Sequence, residues 1–370
     1  MPAGVAGAAE NPDSLRPVEG AAANTTRMLH LDRVETEGFG SGSPSVTDAV
    51  EAEAGTAEVT LDRYALDTRL ARAAPGERER LLNAALNRSE RRIRALSERE
   101  RLARERLRAG DVGIDCYLAV LGSVNREARA VEVNLDRLER VADSDVIEDR
   151  VNGLQTDTAR YVGPVADELG AALVRGATTD RVSLAVADHG FAVAAIREGE
   201  YVREITRTDA RDETVGGVDL DAAQTRIGEL YPWAWANKGD VSINTVGEDV
   251  FRFQLAHDHG ELTTLLDTSA GTVYREVQQK SLAGLPVAPG PSATSGNLTL
   301  SISTPDPGTP LRVQVTNATG ARVPASVSVN GTYVGQTGPG GSAWALTPAG
   351  NFTVTAQAGD QPVELAVAPK

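Results

Sequence analysis

The stretch Ala256-His257-Asp258-His259-Gly260-Glu261 sets two imidazoles two residues apart, with a carboxylate two residues further on. Alternate residues of a β-strand share a face. His257, His259 and Glu261 on one strand would therefore offer zinc or copper two nitrogen ligands and an oxygen ligand, and a metal-dependent enzyme built on them would need one more ligand from the fold. The same residues also read as the corner of a hairpin, with Gly at the turn and Asp bonding its own backbone. A second cluster, Tyr231, Trp233 and Trp235, is the densest aromatic group in a chain with 4% aromatic residues. On an extended segment the three rings would share one face as a platform for a sugar or a peptide. As a buried plug they would fill the joint between a helix and a sheet, which is the simpler use of such rings. Asp219 and Asp221, with Asp212 and Glu213 nearby, could attract calcium, although a helix N-cap with acids in its first turn explains them more simply.

Little else in the chain carries the pattern of a reaction, and no catalytic residue or cofactor is expected. The sequence has no Gly-x-Ser-x-Gly, no phosphate loop ending in Lys-Ser/Thr, no dinucleotide fingerprint and no His-Glu-x-x-His. With four histidines and one cysteine, acid-base chemistry would fall to carboxylates, which are too numerous to single out a pair. The lone Cys116 excludes an internal disulfide and a cysteine-based zinc site. It reads as a packed thiol beside Tyr117 and Leu118.

The elements that must carry these residues follow from hydrophobic period. Residues 1–60 are rich in Gly, Ala, Ser and acids, with one apolar patch at Met28-Leu29-His30-Leu31. They read as an extended arm that docks as a strand. Over residues 61–157 the four-three step of a helix dominates. Leu82, Leu86, Ser89, Ile93, Leu96, Ala103 and Leu107 form one stripe, broken only at Glu100, and Tyr117, Leu121, Val124, Ala128, Val131, Leu135 and Leu138 form the next. Turn residues from Gly110 to Gly113 join them, so an antiparallel helical hairpin or small bundle of coiled-coil type is expected, about 40 Å long. The first arm holds eleven arginines against six acids and the second nine acids against five arginines, so the arms attract. The same stripes could also pair two copies of the chain. A third helical pattern from Ile147 to Val165 is bent or broken at Gly163-Pro164.

Across residues 158–280 the period changes to two. Strands are expected over 182–186, 191–196 and 201–206, then a helix from Asp219 to Leu230, then strands near 241–246, 249–256, 261–267 and 272–278. The region looks duplicated. Asp188-His189-Gly190 and Asp258-His259-Gly260 each open a strand, and each strand ends in a glycine, Gly199 or Gly271, followed four residues later by Arg203-Glu204 or Arg275-Glu276. Two copies of one helix-plus-meander unit would produce this spacing. His189 has no partner histidine in the first copy, so metal binding cannot be the shared reason for the motif. Residues 281–296 read as a Pro/Gly/Ser linker. Residues 297–370 show about seven short alternating strands with an Asn330-Gly331 hairpin turn, the pattern of a small antiparallel β-sandwich.

Composition places the chain. The formal net charge is −15 and lysine occurs only at positions 238, 280 and 370. Such an acidic, arginine-based surface suits high salt, where screening over about 3 Å at 1 M removes self-repulsion. It makes nucleic acid a poor partner, and no aromatic residues interleave the basic run Arg88, Arg91, Arg92, Arg94. No run of about 18 apolar residues is present, so no transmembrane segment is expected. The leader Met1 to Glu10 reads as the small-residue end of a secretory signal peptide. Asn-x-Ser/Thr acceptors at Asn24, Asn87, Asn297, Asn317, Asn330 and Asn351 add to the expectation of an extracytoplasmic location, either secreted or cell-surface associated.

Three resemblances rest on these residues. The helix at 219–230, the meander from Asp249 to Ala256 and Leu265-Leu-Asp-Thr-Ser-Ala-Gly-Thr-Val-Tyr274 resemble the PepSY module. That module is found in extracytoplasmic propeptides and sensors, which implies binding or inhibition and carries no catalytic residue. The run from Val329 through Trp344 and Pro348-Ala-Gly350 to Val354 is similar to immunoglobulin-like or transthyretin-like surface modules, which space, stiffen or bind. The whole chain resembles a family of uncharacterised exported haloarchaeal proteins, which implies location and architecture and no activity. The expectation is a multidomain α+β protein with a helical hairpin or bundle, a duplicated PepSY-like α+β middle domain and a β-sandwich. It would act without catalysis at the cell surface, with an unknown protein or surface polymer as partner. The alternatives are a PepSY-like inhibitor or regulator of an extracytoplasmic protease, with a peptide groove beside Trp233, and the metal-dependent enzyme at His257 and His259.

Overall fold

The computed structural model describes residues 25–42, 46–142, 144–211, 219–246, 249–303, 307–338 and 340–369. Asn24, Asp212, Glu213 and the leader lie outside them. The chain is helical in its amino-terminal half and antiparallel β in its carboxy-terminal half.

The expected hairpin is present as α2 (Pro75–Arg108) and α3 (Ile114–Glu139). Proline begins α2, where its missing N–H costs nothing, and Gly110 at φ +78° turns the chain toward α3. Three further helices, α1 (Val46–Leu70), α4 (Asp145–Ala159) and α5 (Pro164–Arg175), complete a bundle. The expectation of an extended arm through residue 60 is therefore corrected. Ala52, Val59, Leu66 and Leu70 of α1 are buried against α3 and its neighbours, and alanine and glutamate, read as marks of an arm, are strong helix formers. The stripes of α2 and α3 are covered by α1 and α4 within the chain, because Leu82, Leu86, Ile93, Val131 and Leu135 share one core with Val59, Leu66, Ile147 and Val151. That stripe is thus spent inside one molecule and is not a surface for pairing two copies. The interruption at Glu100 is also explained. The carboxyl is buried, accepts the Tyr117 hydroxyl proton at 2.6 Å and pairs with Arg104 at 3.1 Å. Cys116, on the solvent side of the α3 amino terminus, is exposed and not packed as expected. The arginine run faces acids as foreseen, but on two helices: Arg92 bridges Glu58 of α1 and Glu127 of α3, and Arg88 pairs with Asp62 of α1.

Eight strands form one antiparallel sheet in the order β1-β2-β3-β4-β8-β7-β6-β5. They are β1 (Thr36–Gly40), β2 (Val182–Ala187), β3 (Gly190–Arg197), β4 (Glu200–Arg207), β5 (Lys238–Thr245), β6 (Val250–His257), β7 (Gly260–Asp267) and β8 (Thr272–Ser281). On one face α5 and the ends of α2 and α3 pack on Val182, Leu184, Val186, Phe191, Val193 and Val202. The other face meets α6 (Leu220–Leu230) and the short α7 (Pro232–Ala236) through Phe253, Leu255, Leu262 and Leu266. Asp219 caps α6, its carboxylate accepting from the Ala222 amide at 2.9 Å. Gly122 of α3 and Gly170 of α5 meet backbone to backbone, and a Cβ on either would collide with the other helix.

Two meanders, β2-β3-β4 and β6-β7-β8, lie where the strands were expected and join through β4 and β8, with Glu204 opposite Val277 and Ile205 opposite Glu276. The equivalence is one of strand order: register sends Glu204 and Glu276 to opposite faces of the sheet, α5 and α6 also lie on opposite faces, and β5 intervenes after α6. The helix-plus-meander unit is therefore not repeated as a single superimposable block.

The patch at residues 28–31 does not form the docked strand. Residues 25–31 form a strap without strand pairing, held on the α6 face through Leu29, and the strand is β1, paired with the edge of β2. The expected linker is shorter than 281–296. Residues 289–295 form β9 (Pro289–Ser295), paired with β10 (Leu298–Ser303). Two four-stranded sheets then make the sandwich, in the orders β14-β11-β10-β9 and β13-β12-β15-β16. They comprise β11 (Pro310–Asn317), β12 (Ser326–Val329), β13 (Thr332–Gln336), β14 (Ser342–Leu346), β15 (Phe352–Ala358) and β16 (Gln361–Val367). Asn330 and Gly331, at φ +50° and +74°, turn the β12–β13 hairpin as the sequence indicated.

Candidate functional site

The α6 face of the large sheet gathers most of the residues that the sequence singled out, although not in the expected arrangement. Tyr231, Trp233 and Trp235 lie at and within the turn of α7, so they do not share one face of an extended segment. Tyr231 is fully buried and its hydroxyl donates to Glu276 at 2.7 Å. Trp233 packs against both histidines, edge-on to His257 with ring centroids 5.4 Å apart and stacked on His259 at 4.9 Å and 6°, while the two imidazoles meet edge-on at 6.4 Å. Trp235 packs beside Gly228 and carries the Lys238 ammonium 4.3 Å above its ring. The cluster joins helix to sheet, with Tyr231 fully buried and Trp233 and Trp235 half-buried.

The metal reading meets a different geometry. Glu261 pairs with Ala256 and His257 with Gly260 across β6 and β7, so Glu261 and His257 point to opposite faces of the sheet. The His259 amide donates to His257 Nδ1 at 3.2 Å. Burial, then the nearby Lys280 and His259, hold the His257 imidazole neutral, with its pKa lowered to about 4. Among the described residues no three His, Cys, Asp or Glu side chains converge as a metal site.

Both Asp-His-Gly corners serve one backbone purpose. The His189 carbonyl accepts the Thr208 amide at 2.8 Å and the His259 carbonyl accepts the Ser281 amide at 2.9 Å. A Cβ on Gly190 would strike the Thr206 carbonyl oxygen, and one on Gly260 that of Gln279. Glycine is needed for close approach of the neighbouring strand, and at Gly190 a positive φ plays no part. The first corner is tied to α2, because Arg104 donates to the Asp188 carbonyl and Arg108 pairs with its carboxylate, both at 2.5 Å.

The repeated Arg-Glu pair lies on the central strands, where each arginine meets the glutamate of the other copy: Arg203 with Glu276 at 3.4 Å and Arg275 with Glu204 at 3.1 Å. The pairs lie on opposite faces. Glu204 accepts the amides of Val165 and Ala166 and so caps α5, where the helix dipole favours a negative charge. Glu276 accepts the Leu29 amide at 2.8 Å as well as the Tyr231 hydroxyl.

Glu276, Gln278 and Lys280 form a polar row on one face of β8, and sequence reasoning missed it. Gln278 donates to the Arg27 carbonyl at 2.6 Å and Lys280 to the Thr25 hydroxyl at 3.4 Å, while Arg207 pairs with Asp32 at 2.8 Å. Glu276 and Gln278 thus bond the main chain of the strap and Lys280 a side chain of it, and Thr26, Met28 and Leu29 of the strap are buried. Burial lowers the Lys280 pKa to about 8, a shift that Glu276 opposes and Arg203 reinforces, and burial raises that of Glu276. The available signal was the spacing of Glu276, Gln278 and Lys280 at the two-residue period of a strand.

The glycan acceptors divide by context. Asn297, Asn330 and Asn351 are exposed at strand ends and turns of the sandwich. Asn317 also sits at a turn, with its amide oxygen taking the Thr319 and Ala321 amides. Asn87 lies in α2, and Ser89 of its triplet is buried against Asn134 at 3.2 Å.

Comparison with known proteins adds matches to three families. Residues 2–179 match a domain of unknown function (DUF7096), residues 182–286 a family of unknown function (DUF7094), and residues 291–365 an archaeal fibronectin-III type-like domain. The last agrees with the immunoglobulin-like character expected for the sandwich. No curated protein and no solved structure matches the chain.

Proposed function

We propose that this chain is a non-catalytic interaction or structural protein that works outside the cytoplasm of a halophile. The observation that carries the proposal is the use made of buried charge. Glu204 caps a helix, Glu276 holds the strap and Tyr231, and Arg203 and Arg275 neutralise them across the central strands. These groups build the architecture, and buried carboxylates that accept from several backbone and side-chain donors at once are committed to holding the fold. The net charge of −15 and the near absence of lysine support the halophilic part. The absence of a helix long and apolar enough to cross a membrane, among the described residues, and the match to an archaeal fibronectin-III type-like domain are compatible with secretion or surface attachment. The exposed turns at Asn297, Asn330 and Asn351 would be open to glycosylation.

The experiment is mass spectrometry of the native protein from the supernatant and envelope fractions of its host, reading the amino terminus and the occupancy of each acceptor. The expected result is an amino terminus near Ala9 and glycans on Asn297, Asn317, Asn330 or Asn351. An intact Met1 on an unmodified cytosolic chain would overturn the location. A second reading, a PepSY-like inhibitor or regulator of an extracytoplasmic protease, is favoured by the packing of α6 on one face of β6, β7 and β8. Inhibition of the secreted proteases of the same culture by the purified chain would establish it in place of the spacer role.

A further inference from the structure

A cleft of about 350 Å³ opens between α1, α3 and α5 in the helical bundle. Its walls differ in chemistry. Val59, Ala130 and Val133 line it with hydrocarbon, while Arg63, Arg126 and Arg129 bring three guanidinium groups to it, against the single carboxylate of Asp167. Glu53 and Glu132, which pair with Arg126 and Arg129, join Asp167 in offsetting the three guanidinium groups, so an anion at the cleft is held by hydrogen-bond donors left over, such as the buried Arg126 Nε, and not by a surplus of charge.

The three arginines are not equally committed. Arg129 is engaged at all three nitrogens, with Nε and Nη2 on the two oxygens of Asp167, at 2.9 and 2.5 Å, and Nη1 on Glu132 at 2.9 Å. Asp167 is further fixed by Asn125 at 2.9 Å. Arg126 gives Nη2 to Glu53 at 2.5 Å. Arg63 makes no ion pair among the described residues and lies over the ring of Tyr64 at 5.3 Å. Arg63 and Arg126 therefore keep N–H donors for a ligand, and Arg129 with Asp167 holds the wall in place.

We propose that this cleft binds a small amphipathic carboxylate, with its head on Arg63 and Arg126 and its hydrocarbon tail along Val59, Ala130 and Val133. The volume admits about a dozen non-hydrogen atoms if each takes about the 30 Å³ of a water molecule, and clefts of this size between helices are common ligand sites. A guanidinium matches a carboxylate with paired N–H donors, while the tail gains from leaving water.

The test is isothermal titration of the full chain with octanoate, with octanol as a tail lacking the head and inorganic phosphate as an anion lacking the tail. Octanoate is expected to bind at least tenfold more tightly than either. Arg63→Gln, which breaks no ion pair among the described residues, is expected to weaken octanoate at least tenfold while leaving the thermal midpoint of the unliganded chain unchanged. Ala130→Trp, placed to fill the cleft, is expected to abolish binding. Failure of octanoate to bind, equal binding of octanol or phosphate, or undiminished affinity in Arg63→Gln would each overturn the proposal.

Discussion

Lys280 shows at residue scale how this protein uses charge. Its ammonium lies on β8 near Glu276 and Arg203, where burial lowers its pKa from 10.5 to about 8. Between those two values the unfolded chain still holds a proton that the folded chain has released, so stability from this group rises with pH. The burial penalty is full below about pH 8 and gone above 10.5. Lys280→Met removes it, and the wild-type chain should gain about 3 kcal/mol relative to the variant across that window, followed by urea unfolding. A parallel course of the two chains would show that the ammonium is solvated. His257 titrates on the other side of neutrality. With its pKa lowered to about 4, its contribution is complete above about 6.5 and is lost as the pH falls toward 4.

At the scale of elements, the strap decides what the sheet face presents. Its main chain is read by Glu276 and Gln278, and Leu29 enters the core beneath α6 with Ile205, Ile227 and Phe253. Leu29→Ala leaves a cavity there and should cost about 3 kcal/mol in denaturant unfolding. Because the strap pairs with no strand, the same variant should also speed amide exchange at residue 29 and proteolysis before β1, while the α2–α3 hairpin keeps its protection. Uniform loss of protection across the chain would show that the strap unfolds only with the rest. The pattern of Met28 to Leu31 marked the segment as buried but not how it would lie. A strand needs backbone partners, and the edge of β2 offers them to Thr36–Gly40.

Across the whole molecule, the sandwich is seated on the large sheet and does not hang from a linker. Tyr201 donates its hydroxyl to the Gly308 carbonyl at 3.0 Å, and Tyr201, Leu282 and Leu346 share a small core with Trp344 and Phe39 packed against it. Leu346→Asp buries a carboxylate in that joint. Calorimetry should then resolve a separate, earlier transition of the sandwich, with the helical half melting as before. A single transition at the wild-type temperature would mean that the joint carries no coupling.

The sequence by itself determined the elements and their kind. The four-three stripes of α2 and α3, the alternation in the meanders and the sandwich, the Asn330-Gly331 turn and the Asp219 cap are consequences of local chemistry, because period and turn geometry are fixed by neighbours along the chain. Only the tertiary structure decided what those elements cover. Residues 46–70 become a helix whose inner stripe needs α3, and Tyr231, Trp233 and Trp235 are dispersed by a turn of helix. Glu261 leaves the histidines because strand register sends it to the other face. The pairing of Arg203 with Glu276 and of Arg275 with Glu204 joins residues more than 70 apart. The spacing of Arg-Glu announced a repeat, yet the partner of each charge was set by the register between β4 and β8, which no local pattern encodes.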